Sequence, residues 1–223
     1  MHRLRHGARR RDRTALTDPV DIVARGYDAI ADRFAAWQRQ IDDAERRRWT
    51  ADLLDLLEAN ARALELGVGA AVESSRALAD RTVLTGVDVS AEQLRRARKR
   101  LPGATFIRAD FTRLELDPDS FDAVVALYVL NHVPQDRLAS LLRNVSRWLR
   151  GGGLFLASFP TTDNAGWTGE WLGTTMYFAG FEPAVNRRLV EAARLEVRRE
   201  EQETMVEPEG EVTWQWLLAQ KPA

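Results

Sequence analysis

Cysteine is absent from this chain of 223 residues, which excludes disulfides, thiolate metal sites and a cysteine nucleophile. Histidine is scarce: of the three present, His2 and His6 stand at the N-terminus, which leaves His132 as the single imidazole of the part that reads as folded. A surplus of one charge is missing too. The formal net charge is -1 and bases are interspersed with acids, so the field of a general nucleic-acid binder is lacking and no nucleic-acid partner is expected. No apolar run approaches the roughly 20 residues that span a bilayer, and the first residues lack the apolar stretch of a signal peptide. A cytoplasmic location without a membrane partner is therefore the expectation. No Gly-x-Ser-x-Gly occurs, so a hydrolase with a nucleophile elbow is not supported.

What is present organises itself by periodicity. With 45% hydrophobic and 29% charged residues, the chain can bury one substantial core and is expected to form one domain over residues 19–223. Residues 1–18 crowd Arg3, Arg5, Arg9, Arg10, Arg11 and Arg13 together with almost nothing apolar, and read as a disordered basic tail, solvated rather than bound to an acidic surface. Apolar steps of three and four predict helices over 19–36 and about 42–59, the first loosened at Gly26. Short apolar runs at 63–66, 83–87, 105–107, 123–129 and 154–159 then alternate with helical stretches at 70–79, 91–101 and 135–149. Such alternation predicts a parallel sheet covered on both faces, an α/β fold of the doubly wound type. Ser90 with Gln93 suggests a capping box, and Pro134 a helix start. Gly151, Gly152 and Gly153 suggest a helix stop. A Trp- and Gly-rich insert over 164–181 precedes a helix at 183–194 and two strand-like segments joined by Glu207-Pro208-Glu209-Gly210, a terminal antiparallel hairpin.

The run Ala63-Leu64-Glu65-Leu66-Gly67-Val68-Gly69 takes an apolar strand into an acid and two glycines before a helix. Asp88 and Asp110 end two further apolar runs. The three acids fall about 20 residues apart, one strand-helix unit each, which brings successive strand ends to one edge of a parallel sheet. Singly, each Asp reads as a helix cap or turn former; jointly, they read as a nucleoside site.

These motifs carry a resemblance. Leu64-Glu65-Leu66-Gly67-Val68-Gly69, Gly86-Val87-Asp88-Val89-Ser90, Arg108-Ala109-Asp110-Phe111, Ser120-Phe121-Asp122-Ala123-Val124 and Leu149-Arg150-Gly151-Gly152-Gly153 stand in the order of the class I S-adenosylmethionine-dependent methyltransferases. The chain resembles that family from about Val20 onward. It departs from the family pattern at Ala71, where a third glycine is common, and at Val68, which replaces a frequent cysteine or small residue. As a dinucleotide fingerprint the loop is poorer, because Val72 stands where a third glycine should be.

The resemblance implies a Rossmann-like methyltransferase fold: a seven-stranded, mostly parallel sheet with the reversed terminal hairpin, and residues 19–60 as a helical lid. It implies S-adenosyl-L-methionine as cofactor, with Gly67 and Gly69 approaching the methionine part and Glu65 meeting its ammonium. Asp88 would accept from the ribose hydroxyls and Asp110 from the adenine amino group beside Phe111, with Val89, Leu94 and Leu127 giving apolar contact. Tyr27 matches the lid tyrosine of the family; Trp37 reads as either lid or core. No metal is implied.

Methyl transfer is an in-line displacement that needs a base only where the acceptor keeps its proton near neutral pH. His132, after the fourth strand, has two readings: general base or acceptor-orienting group, or a residue that packs on the cofactor or caps the next helix. Trp167, Trp171 and Tyr177 in the insert are expected to line an acceptor pocket. The absence of an Asn/Asp-Pro-Pro-aromatic signature after the fourth strand disfavours base-amino methylation of nucleic acids, and no extra acid set suggests metal-dependent catechol methylation. The expectation is methylation of an oxygen or nitrogen of a small organic molecule in secondary metabolism, by a monomer or homodimer. The alternatives are a non-methylating reaction on the same fold and a non-catalytic cofactor-binding protein.

Overall fold

The computed structural model describes residues 18–223; of the basic tail expected over 1–18, residues 1–17, with His2 and His6, lie outside the described residues. The strands are β1 (Ala61–Leu66), β2 (Thr82–Asp88), β3 (Thr105–Arg108), β4 (Phe121–Ala126), β5 (Leu149–Pro160), β6 (Asn164–Trp171), β7 (Thr174–Gly180), β8 (Glu196–Glu207) and β9 (Gly210–Gln220). The helices are α1 (Pro19–Gln38), α2 (Ala44–Asp55), α3 (Glu73–Arg81), α4 (Ala91–Arg100), α5 (Gln135–Trp148) and α6 (Pro183–Ala192). Seven strands form one sheet in the order β3-β2-β1-β4-β5-β9-β8. It is parallel from β3 to β5, and β9 runs antiparallel to both its neighbours. This is the doubly wound α/β architecture with a C-terminal hairpin.

Strand periodicity builds the two cores. Leu64, Leu66, Val124 and Phe155 pack with Leu141 and Trp148, whereas the alternate positions Ala63, Val125 and Leu156 pack with Trp49, Leu53 and Trp216. Side chains that alternate across a strand and are buried on both faces are what helices on both sides of a parallel sheet require. Among the described residues no helix is long and apolar enough to cross a membrane.

Several local expectations are corrected. Helix α1 is unbroken through Gly26, whose missing side chain serves a contact: a Cβ there would lie 2.7 Å from the Met176 Cε and 3.1 Å from the Thr175 carbonyl. The glycines at 151–153 lie inside β5 rather than ending α5, because the chain turns extended at Leu149 straight after the fully buried Trp148. The capping box at Ser90 is half made. Its hydroxyl accepts from the Gln93 N–H at 3.1 Å, but its own N–H goes to Asp88 Oδ1, so the Gln93 side chain is left without that partner. The insert is an antiparallel ribbon of β6 and β7. Its two-residue loop, Leu172-Gly173, has φ of 48° and 73°, the sign that a primed hairpin turn demands at both positions. A leucine at the first of them conceals the signal.

Asp18, read as the end of the tail, is the N-cap of α1. Its Oδ1 accepts from the Val20 N–H at 3.0 Å, and Arg137 reaches both its oxygens at 2.9 and 2.8 Å. The hydrogen bond from Arg137, against some desolvation, lowers its pKa to about 2. The stabilisation is thus present above the ordinary value of 3.8 and is lost as pH falls through 2. Asp18→Ala is expected to cost about 1 kcal/mol, the usual worth of a cap, read as a lower urea midpoint at pH 7.

Candidate active site

The carboxyl ends of β1, β2 and β4 open onto one cavity, at the point where the strand order reverses, which is where open α/β sheets place ligands. Glu65, Asp88 and Asp110 all line it. So do Gly67, Gly69, Val89, Phe111, Leu127, Tyr27 and His132. Leu94 does not: it is fully buried in the core, because on α4 the neighbouring Gln93 takes the cavity-facing position.

Each acid is held differently. Glu65 Oε1 accepts from the Ser75 hydroxyl at 2.8 Å, while Oε2 is buried with no partner. An orphaned buried carboxylate oxygen is costly unless a donor arrives. Burial pushes its pKa up to about 7, against the Ser75 hydrogen bond and the nearby Arg46. Asp88 ties the loop to its own strand end: Oδ2 accepts from the Gly69 N–H and Oδ1 from the Ser90 N–H, both at 2.8 Å. Burial outweighs those bonds and raises its pKa to about 6. Each oxygen retains a second lone pair for a ligand hydroxyl. Asp110 Oδ1 accepts from the Thr112 N–H at 2.8 Å and its hydroxyl at 2.7 Å, a turn that aims the carboxylate from β3. The glycines divide their duties. A Cβ on Gly67 would collide with Val129, so this position answers to protein packing, whereas Gly69 faces open space at φ 54°. Ala71 adopts φ 53°, the left-handed region that glycine enters without penalty.

His132 sits on a single helical turn, residues 130–132, after β4 and is buried. Its Nδ1 lies 2.8 Å from the Tyr177 carbonyl, and its Nε2 lies 2.8 Å from the Tyr27 hydroxyl. A carbonyl can only accept, so Nδ1 carries the hydrogen and Nε2 accepts from Tyr27. Burial lowers the His132 pKa to about 4. Burial, with Asp88 and Glu207 near, pushes the Tyr27 phenol up. The imidazole is therefore neutral at pH 7 and already engaged at both nitrogens.

A second cleft of about 640 Å³ adjoins the cavity and shares Tyr27, Phe34, Gln38, Arg46 and Tyr128 with it. Trp171 lines this cleft, with ring centroids 6.2 Å from Tyr27 and 5.4 Å from Trp37, which lines it as well. The other two aromatics expected there do not. Trp167 shares the face of β6 that carries Trp171 but stands four residues away from it along the strand, where it stacks on Phe178 and is 47% exposed. The Tyr177 ring is buried with Val23 and Ile30 under α1, and only its backbone carbonyl serves the site, through His132.

Four contributors escaped the sequence reading: Arg46 on α2, Gln93 on α4, Tyr128 after β4 and Glu207 at the tip of β8. Gln93 Nε2 is buried without a partner and lines the cavity. Tyr128 stands at φ 54°, a strained backbone of the kind that collects at functional sites, and Arg46 lies 4.5 Å over its ring. Only Gln93 left a trace, as the third residue after a capping serine.

Comparison with known proteins agrees with this geometry. Residues 63–153 match the family described as a methyltransferase domain. A trans-aconitate 2-methyltransferase of Methylobacterium nodulans is 36% identical over 135 residues, 59% of this chain and 51% of that protein. A demethylmenaquinone methyltransferase of Renibacterium salmoninarum is 30% identical over 152 residues, 66% of this chain and 62% of its own length. The chain thus spans about half to three fifths of these relatives. Among solved structures, the Burkholderia thailandensis 1,6-didemethyltoxoflavin-N1-methyltransferase, with bound 1,6-didemethyltoxoflavin and S-adenosylhomocysteine, superposes with TM-score 0.65 at 18% identity, covering 90% of this chain and 91% of that one. A Methanosarcina mazei S-adenosylmethionine-dependent methyltransferase gives TM-score 0.66 at 19% identity, covering 75% and 95%. These likenesses show that residues 63–153 form a methyltransferase domain, and that the sheet order with its reversed last strand is the fold of S-adenosylmethionine-dependent methyltransferases.

Proposed function

We propose that this chain is an enzyme that transfers the methyl group of S-adenosylmethionine to an oxygen or nitrogen of a small organic molecule, with a flat or apolar acceptor of the secondary-metabolite kind. One observation carries the reading: Glu65, with an unpartnered oxygen, shares a cavity with Asp88 and Asp110, and that cavity runs into an aromatic-walled cleft. The residues fit the cofactor, since a buried orphan carboxylate oxygen suits an ammonium, and two further acids with a free lone pair suit hydroxyl and amino donors. When bound, S-adenosylmethionine supplies a methyl carbon made electrophilic by its positively charged sulphur.

The chain's own residues bind, orient and exclude water. Glu65 would hold the amino-acid end, Asp88 the ribose, and Asp110, Val89 and Phe111 the base, with Leu127 on the adjoining wall. Tyr27 from α1 closes the junction of cavity and cleft. Hydrogen bonding of its hydroxyl to His132 fixes its ring, so we assign His132 to orienting Tyr27 rather than to taking the acceptor proton. Trp171 would form the acceptor wall. Water exclusion and alignment are the main demands of an in-line displacement.

The Glu65 carboxyl must lose its proton to pair with an ammonium. With a free-state pKa of about 7, binding of S-adenosylhomocysteine is expected to release about half a proton at pH 7 and to be about tenfold weaker at pH 6 than at pH 8. Calorimetry in phosphate and in Tris, which differ in ionisation heat, reads the proton directly. Glu65→Gln should remove both the buffer dependence and the pH slope. Equal heats in the two buffers would remove Glu65 from the ammonium site, and no heat at all would end the cofactor reading.

A further inference from the structure

The cleft beside the cofactor cavity has an uneven charge. Among the described residues its one lining cation is Arg46, which has the Asp43 carboxylate 3.5 Å from its Nε and lies over the Tyr128 ring, though that Nε makes no hydrogen bond. Glu207, half-buried at the end of β8, has no such partner among the described residues. Burial and the neighbouring Glu209 push its carboxyl up to about 7, with no cation or donor opposing them. Glu207 shares the cleft-facing side of β8 with Met205, whereas Val206 between them is 69% exposed. The hairpin tip is fastened over the cleft by Trp37, whose Nε1–H donates to Glu209 Oε2 at 2.8 Å. Glu207 and Tyr27 line the same cleft, and Tyr27 also lines the cofactor cavity. Facing it are the rings of Tyr27, Trp37, Trp171 and Trp214. Aromatic faces together with an unpaired carboxylate are the recognition chemistry of a cation on an apolar frame.

We propose that the acceptor is a nitrogen base with an apolar or aromatic body, and that Glu207 binds its ammonium group and takes its proton. This rests on the methyl-transfer reading above and narrows it. The Glu207 carboxylate accepts one N–H proton from the ammonium, giving the neutral acid and a free nitrogen lone pair. The lone pair forms a C–N bond to the sulfonium methyl as the C–S bond breaks, and that electron pair remains on sulphur as a neutral thioether. The product is a methylated ammonium, and the Glu207 proton leaves to solvent. The other charged residues that line the cleft are Asp43, Arg46 and Glu211, with Glu209 next to Glu207. Of these only Arg46 is cationic, and Asp43 lies 3.5 Å from its Nε.

The test is calorimetric and needs no turnover. The full chain, with and without saturating S-adenosylhomocysteine, is titrated at pH 8 with 2-phenylethylamine and with its neutral isostere 2-phenylethanol. The amine is expected to bind at least tenfold more tightly than the alcohol, and Glu207→Gln should bring that ratio to about one while S-adenosylhomocysteine affinity stays within twofold. Glu207→Ser, read in the same way, guards against a fold defect peculiar to one variant. An alcohol bound as well as the amine, an amine that fails to bind at 10 mM, or a preference that survives both substitutions would each overturn the proposal. The two readings fail separately, since loss of the cofactor reading shows as no S-adenosylhomocysteine heat, whereas the amine preference is measured in its absence as well.

Discussion

Asp88→Ala is expected to weaken S-adenosylhomocysteine binding by about a hundredfold. The carboxylate does two jobs with the same atoms. It accepts from the Gly69 and Ser90 N–H groups, which holds the glycine loop against the end of β2, and in the proposed function its remaining lone pairs would accept from the ribose. Hydrogen bonds to a charged group are worth about 1.5–3 kcal/mol each, and loss of about 2.7 kcal/mol corresponds to a hundredfold in affinity. Asp88→Asn separates the jobs. An amide oxygen can still accept from one N–H but the amide nitrogen faces the other donor, so about half the energy is expected to be lost with the fold intact. Titration calorimetry on both variants checks this, and an Asp88→Ala protein that binds within threefold of the wild type refutes the assignment. The raised pKa of about 6 adds a sign. The folded protein holds this proton more tightly than the unfolded chain, so the associated stability is full below the unfolded value of 3.8 and is lost as pH rises through 6.

His132→Ala is expected to lower stability by about 3 kcal/mol and activity in step with Tyr27→Phe. Truncation strands the buried Tyr177 carbonyl and the Tyr27 hydroxyl, each costing about 1–3 kcal/mol when left unpaired, and a loss of that size shifts the melting temperature by about 9 °C for a chain of this length. If His132 acts by orienting Tyr27, the double variant loses no more activity than the worse single one, a coupling that a double-mutant cycle measures. The pH profile separates this role from general-base catalysis. With a folded pKa near 4, His132 contributes no activity limb near its ordinary 6.5, and a limb there that vanishes in His132→Ala would restore the base. The linkage sign is opposite to that of Asp88: the stability held by the neutral imidazole is present above 6.5 and declines as pH falls towards 4.

Much of the site was legible because its parts are local. Glu65, Asp88 and Asp110 are read from strand ends spaced by one strand-helix unit, and the structure brings them to one cavity. Leu94 was misplaced because an amphipathic helix reveals its buried stripe but not whether the edge of that stripe meets core or ligand. Trp167 and Trp171 show the limit in a strand. Both read simply as aromatics in an insert; they share one face of β6, and only the placement of the ribbon against the rest of the chain decided that Trp171 lines the cleft while Trp167 stays 47% exposed. Tyr177 contributes a backbone carbonyl, which no residue type can announce.

The sequence by itself determined the alternation of strand and helix, the order of the cofactor motifs and the terminal hairpin, because these follow from periods of two and 3.6 residues and from glycine's access to left-handed backbone. Tertiary structure alone decided that Arg46 from α2, Tyr27 from α1 and Glu207 from β8 line one cleft. Those segments are far apart in the chain, and their meeting depends on how α1 and α2 dock on the sheet and how the last hairpin folds across it. That docking is set by complementary packing of distant surfaces, which no local pattern encodes.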